Sequence, residues 1–133
     1  MRIGIYNHQH LRGGCPGCSQ IYVRGMIEDA MKCQARAKGI YGENCEFLNF
    51  TDLGDYPSDH LNRPGFKRLM KAIKEKQIDV VAVITLDKIS TDIDLLLETY
   101  ETIRSHNIQL ITAADGKKAM DILDEALAKW QKK

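Results

Sequence analysis

The sequence predicts an α/β protein, a three-layer α/β/α sandwich built on a mostly parallel sheet of four to five strands. Three observations carry that expectation. Apolar, strand-like runs alternate with segments of helical period in the order β-α-β-α-β-α-β-α. Residues 78–86, Ile-Asp-Val-Val-Ala-Val-Ile-Thr-Leu, are β-branched and nearly continuous, as a strand covered on both faces of a parallel sheet must be. Glycine and proline punctuate the joints, with Gly39 placed to stop one helix and Pro64 to start the next.

The elements follow in order. Ile3 and Ile5 mark a first strand over 2–6, and residues 7–18 form a loop holding Gly13, Gly14, Pro16 and Gly17. Ser19 is placed to cap a helix that runs from Ile21 to Lys38, where Val23, Met26, Ile27, Ala30, Met31 and Ala37 keep a rough 3.6 period. Residues 45–50 suit a second strand, and 51–62 read as loop. Phe66, Leu69, Met70 and Ile73 give the next helix its apolar stripe, opposite Lys67, Arg68, Lys71 and Lys74. A helix over 93–105, a strand over 108–112 and a helix over 117–131 complete the pattern.

With 133 residues and no linker or internal repeat, the chain reads as one domain spanning 1–133. Apolar residues make up 44% and charged residues 28%, which excludes a disordered chain. The net charge of +1 excludes general attraction to nucleic acid, so any such contact needs a local basic patch. The Lys67, Arg68, Lys71, Lys74 run reads first as a solvated helix face. No apolar run approaches the ~18 residues of a membrane span, and the N-terminus enters a strand directly. A cytoplasmic location is expected, with Cys15, Cys18, Cys33 and Cys45 reduced. Cys33 and Cys45 read as small core residues. No cofactor is expected.

Two segments carry a family likeness. Asn62-Arg63-Pro64-Gly65-Phe66-Lys67-Arg68-Leu69 resembles the "D-R-P-G-F-x-R-L" helix start of serine recombinases, the resolvases and invertases. Residues 78–91 resemble their "I-D-x-V-x-V-x-x-L-D-R-L-S/G-R" strand and loop, and Ile3-Gly4-Ile5-Tyr6 is similar to their opening strand. The likeness covers nearly the whole chain and implies a resolvase-like catalytic domain, from a family of DNA recombinases found on mobile elements. In that family a serine attacks a DNA phosphodiester, and several arginines hold the phosphate. An anionic diester needs such a nucleophile and such a clamp, and arginine's fork binds two phosphate oxygens at once.

Carried over position by position, the likeness implies a degenerate site. The serine position falls on His10 and an arginine position on His8. Arg63 and Asp87 are retained, Lys88 keeps a charge without the fork, and Thr91 replaces a second arginine. The catalytic candidates are therefore Arg63, Asp87 and Lys88, with Arg63 and Lys88 as the phosphate or DNA contacts. Each has a simpler role open to it: Arg63 can bond loop carbonyls, and Asp87 can bond its own loop. The expected function is an inactive resolvase-like protein that binds itself, a related recombinase or DNA. Strand exchange with an altered nucleophile is the enzymatic alternative. The likeness implies no helix-turn-helix part within these residues. It also implies a dimer through the last helix, should the Met120, Leu123, Leu127, Trp130 stripe be exposed and not core.

The first loop offers a third reading. His8 and His10 share a strand face, and Cys15 and Cys18 form a Cys-Pro-Gly-Cys pair. Together they could supply a tetrahedral zinc set or a redox pair. A single Cys-x-x-Cys in a glycine-rich loop is equally an ordinary loop, and no metal is assigned.

Overall fold

The computed structural model describes residues 1–9, 18–53, 63–90, 92–115 and 117–131. Strand β1 (Arg2–Gln9) leads into helix α1 (Cys18–Tyr41), strand β2 (Glu46–Leu53) into α2 (Pro64–Lys74), and β3 (Val80–Val83) into α3 (Ile93–Ser105). Strand β4 (Gln109–Thr112) and helix α4 (Lys117–Gln131) follow. The strands are parallel and lie in the order β2-β1-β3-β4. Four strands form the sheet among the described residues, the lower end of the expected range.

Side chains alternate across β1 and sort the two faces. Ile3 and Ile5 join Val80, Ala82 and Ile84 beneath Cys33 and Ala37 of α1. Asn7 lies on the same side, and its Nδ2 donates to the Met26 carbonyl at 2.8 Å, tying β1 to α1. Tyr6 faces the other way, into a larger cluster with Phe66, Leu69 and Ile73 of α2, Leu97, Tyr100 and Ile103 of α3, and Leu123 and Leu127 of α4. All four residues of β3 are buried, as its β-branched run requires. Gly4 is needed where β1 passes between Ile78 and Phe50: a Cβ there would lie 2.8 Å from Ile78 Cδ1.

Several boundaries differ from the sequence pattern. Helix α1 continues through Gly39 to Tyr41, and the left-handed residue that ends it is Gly42, at φ +90°. Glycine costs a helix about 1 kcal/mol, and the anchorage of Ala37 and Tyr41 against the sheet outweighs that. Ser19 lies inside the first turn, since the helix opens at Cys18. Strand β2 runs on to Leu53 because it stays in register with β1 as far as Gln9↔Leu53. Strand β3 is shorter than 78–86, and a single 3-10 turn, Leu86–Lys88, follows it.

The stripe on α4 is core. Leu123 and Leu127 are buried, and Met120 and Trp130 pack on the large cluster. Among the described residues, the large apolar side chain that α4 exposes is Ile122. Cys33 is buried and Cys45 half-buried, packed at the edge of the α1-side cluster. Among the described residues, no helix is long and apolar enough to cross a membrane.

Candidate functional site

In an open parallel sheet, ligands bind beyond the C-terminal strand ends, where the strand order reverses. Here the reversal falls between β1 and β3. At that mouth the chain collects His8 from the end of β1, Asp52 from β2, Arg63 at the head of α2, and the 3-10 turn after β3.

The start of α2 explains the arrangement. Pro64 occupies the first helical position, where its missing N–H costs nothing. Arg63 precedes it in extended conformation and makes no capping bond with its side chain. The exposed amides of the first turn, Gly65 and Phe66, are capped instead from β2: Asp52 Oδ1 accepts from Gly65 N at 2.7 Å and Oδ2 from Phe66 N at 2.9 Å. Tyr6 Oη donates to the same Oδ2 at 2.7 Å. A carboxylate at a helix N-terminus is favoured by both charge and hydrogen bonding. The fit requires Gly65, because a Cβ there would lie 2.7 Å from the carbonyl carbon of Thr51.

This anchor sets Arg63. Its side chain is 4% exposed, and its guanidinium carbon lies 4.9 Å from the Phe66 ring centre and 5.5 Å from that of Tyr6, both within cation–π range. Nη1 donates to the Lys88 carbonyl at 3.1 Å, and Nη2 donates to the Ile89 carbonyl. Nη1 also lies 3.2 Å from His8 Nδ1. A guanidinium only donates, so in this contact His8 accepts through Nδ1 and carries its proton on Nε2. Burial pushes the guanidinium below its ordinary value, and Tyr6 and Asp52 act in the opposite direction. Its Nε has no partner among the described residues.

Asp87 and Lys88 sit in the 3-10 turn held by these bonds. Asp87 is exposed and accepts from the Thr85 hydroxyl, a bond within its own loop. Lys88 is half-buried and gives its carbonyl to Arg63. Asp115, just past β4, accepts from Leu86 N at 2.9 Å and fastens the far side of the turn. His8, Arg63 and the backbone of Lys88 are thus brought together, whereas the Asp87 carboxylate is turned to its own loop. His10, Cys15 and Thr91 lie outside the described residues, and of Cys18 only the opening position of α1 is described. Among the described residues, no group of three metal-binding side chains occurs.

Two residues that organise the site escape a reading of the sequence. Asp52 stands among several loop aspartates, and its role depends on amides 13 and 14 residues further on. The available signal was Pro64: a helix that starts on proline with arginine, and not Ser, Thr, Asp or Asn, at the capping position must find its cap elsewhere. Asp115 gave no comparable signal.

Known proteins with this arrangement can be identified. The family described as "Resolvase, N terminal domain" matches residues 27–131. That span holds Arg63, Asp87, Lys88 and Thr91, and leaves His8 and His10 outside. No curated protein sequence matches the chain. Among solved structures, the chain is similar to the N-terminal catalytic domain of TP901-1 integrase, at 18% identity and a TM-score of 0.69, covering 99% of this chain and 97% of that one. It is similar to the C-terminal catalytic domain of ISC1926 TnpA, an IS607-like serine recombinase, at 11% identity and a TM-score of 0.66, covering 98% and 82%. A resolvase family site-specific recombinase from Streptococcus pneumoniae matches at 18% identity and a TM-score of 0.65, covering 99% and 88%. At such identities the likeness speaks for the fold, and the family match over most of the chain supplies the rest: this chain belongs to the resolvase family, and its four-stranded parallel sheet is the fold of a serine recombinase catalytic domain.

Proposed function

We propose that this domain acts by binding, to itself, to a related recombinase or to DNA, and does not cleave a phosphodiester. The observation that carries the reading is the state of Arg63. Both terminal nitrogens of its fork are committed to the Lys88 and Ile89 carbonyls, and the group is buried between two rings. Clamping a phosphate through those terminal N–H groups would leave the carbonyls unpaired, at a cost of about 1–3 kcal/mol for each buried group, and the Nε edge, which has no partner among the described residues, is itself buried. The sequence around it supports the same reading. Histidine stands at the nucleophile position (His10) and at one arginine position (His8), and threonine at another (Thr91). Among the family's cationic positions that leaves Lys88, and one ammonium replaces neither the nucleophile nor the fork.

Self-association through the last helix, if it occurs, must use the outer side of α4 around Ile122, because the Met120, Leu123, Leu127, Trp130 stripe is core. The test of the reading is a nicked suicide duplex that traps covalent recombinase intermediates. Denaturing electrophoresis should show no protein–DNA adduct while a serine-bearing relative gives one, and an adduct from this chain would overturn the proposal.

A further inference from the structure

We propose that the α2 face flanking the α2–α3 groove is a track for the phosphate backbone of duplex DNA, leading away from the mouth of the site. The inference rests on the DNA arm of the binding reading and names the surface that would serve it. Helix α2 exposes Lys67, Arg68, Lys71 and Lys74 within eight residues, and its first acidic neighbour is Glu75, past the helix end. Among the described residues none of these four cations makes an ion pair. Four like charges held side by side without a partner repel one another, and a polyanion relieves that repulsion.

The exposed length of α1 gives the contrast. There Arg24, Lys32, Arg36 and Lys38 are interleaved with Glu28 and Asp29, so about half of its positive charge is offset locally.

Lys67, Lys71 and Lys74 line one wall of a groove of about 540 Å³, closed at its far end by Glu75, with Glu98 and Thr102 of α3 opposite. The three lysines span about 10 Å along the helix at ~1.5 Å per residue, a length over which one duplex strand, at ~3.4 Å of rise per nucleotide, presents about four phosphates. Glu98 confines an anionic strand to the α2 side. The floor is shared by buried Phe66 and half-buried Met70, so the choice of a phosphate backbone over an acidic peptide rests on the run of cations without ion-pair partners. Lysine ammoniums, being point charges, hold phosphates without imposing a sequence. Position supports the same assignment, since α2 begins directly after Arg63 and the lysines start one turn in.

The experiment is the salt dependence of binding to a short random-sequence duplex by the whole chain. The K67Q/K71Q/K74Q variant should keep the wild-type circular dichroism spectrum, because all three side chains are exposed. It should bind roughly tenfold more weakly at low salt, with a log–log salt slope shallower by about 3, near one unit per lost phosphate contact. The R24Q/K32Q/R36Q variant on α1 should leave the slope within about one unit of wild type. An unchanged slope in the α2 variant overturns the track and leaves DNA binding to other surfaces. Absence of wild-type binding at low salt overturns both the track and the DNA arm. Competition by polyglutamate as effective as by duplex, charge for charge, overturns nucleic acid in favour of an acidic protein partner.

Discussion

The two faces of the sheet are built on different scales. On one, α2, α3 and α4 enclose seventeen buried residues, with the Tyr6 and Phe66 rings edge to face at 5.4 Å in their midst. On the other, α1 alone covers seven, none aromatic and three of them the small side chains of Cys33, Ala37 and Ala82. These counts are of described residues. The difference teaches where a protein can bury charge. Asp52 and Arg63 both sit on the deep side, where a helix terminus and two rings compensate them. Along the shallow face the buried polar group at the sheet end is uncharged: Asn7, bonded to a helix carbonyl.

The contrast can be broken first at Asp52. Replacing it with alanine removes three hydrogen bonds to a carboxylate and uncaps α2, for an expected loss of about 4 kcal/mol in urea unfolding; a loss near 1 kcal/mol would mean that the deep face does not depend on the anchor. Gly65→Ala comes next. It forces a methyl into the Thr51 carbonyl carbon, and unfolding should register about 2–3 kcal/mol, typical of overpacking against a backbone that cannot yield. The shallow face should be more forgiving. Cys33→Ala there should cost about 1 kcal/mol. The same residue sharpens the comparison chemically, since burial first and Asp29 second push its thiol up to about 12. In the folded protein Cys33 should resist thiol reagents while half-buried Cys45 reacts, and equal labelling rates would show that α1 opens freely.

The smallest expected effect is alkaline. Burial first and Asp124 second raise the Tyr100 hydroxyl to about 12. A phenol whose value is raised by folding supports the fold below its ordinary value near 10. That support is then lost as pH climbs from about 10 to about 12. Ultraviolet titration should show a Tyr100 step near 12, together with loosening of α4, which Tyr100 and Arg104 fasten through Asp124. Tyr100→Phe should abolish that late step.

Much of the fold is legible in the sequence because its signals are local. The β-branched run of β3, Pro64 at the head of α2 and the stripe of α4 each report on their own element. The α4 stripe also shows the limit: its period says that Leu123 and Leu127 face something apolar, and only packing says that this is the chain's own core. Gly39 misled for a related reason, since sheet contacts of the residues around it override its local preference. At the site, Arg63 was visible from its neighbours in sequence. Its partners were not, because backbone carbonyls carry no residue identity, and Asp52 serves amides far along the chain.

The sheet order also has a kinetic side. Strand β1 is central, yet its partners are remote: Arg2 pairs with Glu46 and Ile3 with Val80. Strand β1 is made well before β3 and is therefore unable to complete its pairing until β3 has emerged from the ribosome. Ile3, Ile5 and Tyr6 must wait in the meantime as an unpaired apolar strand. Such separations slow folding towards the millisecond-to-second range, and a waiting strand of this kind is a natural client for a chaperone and an early site of misassembly when expression is fast.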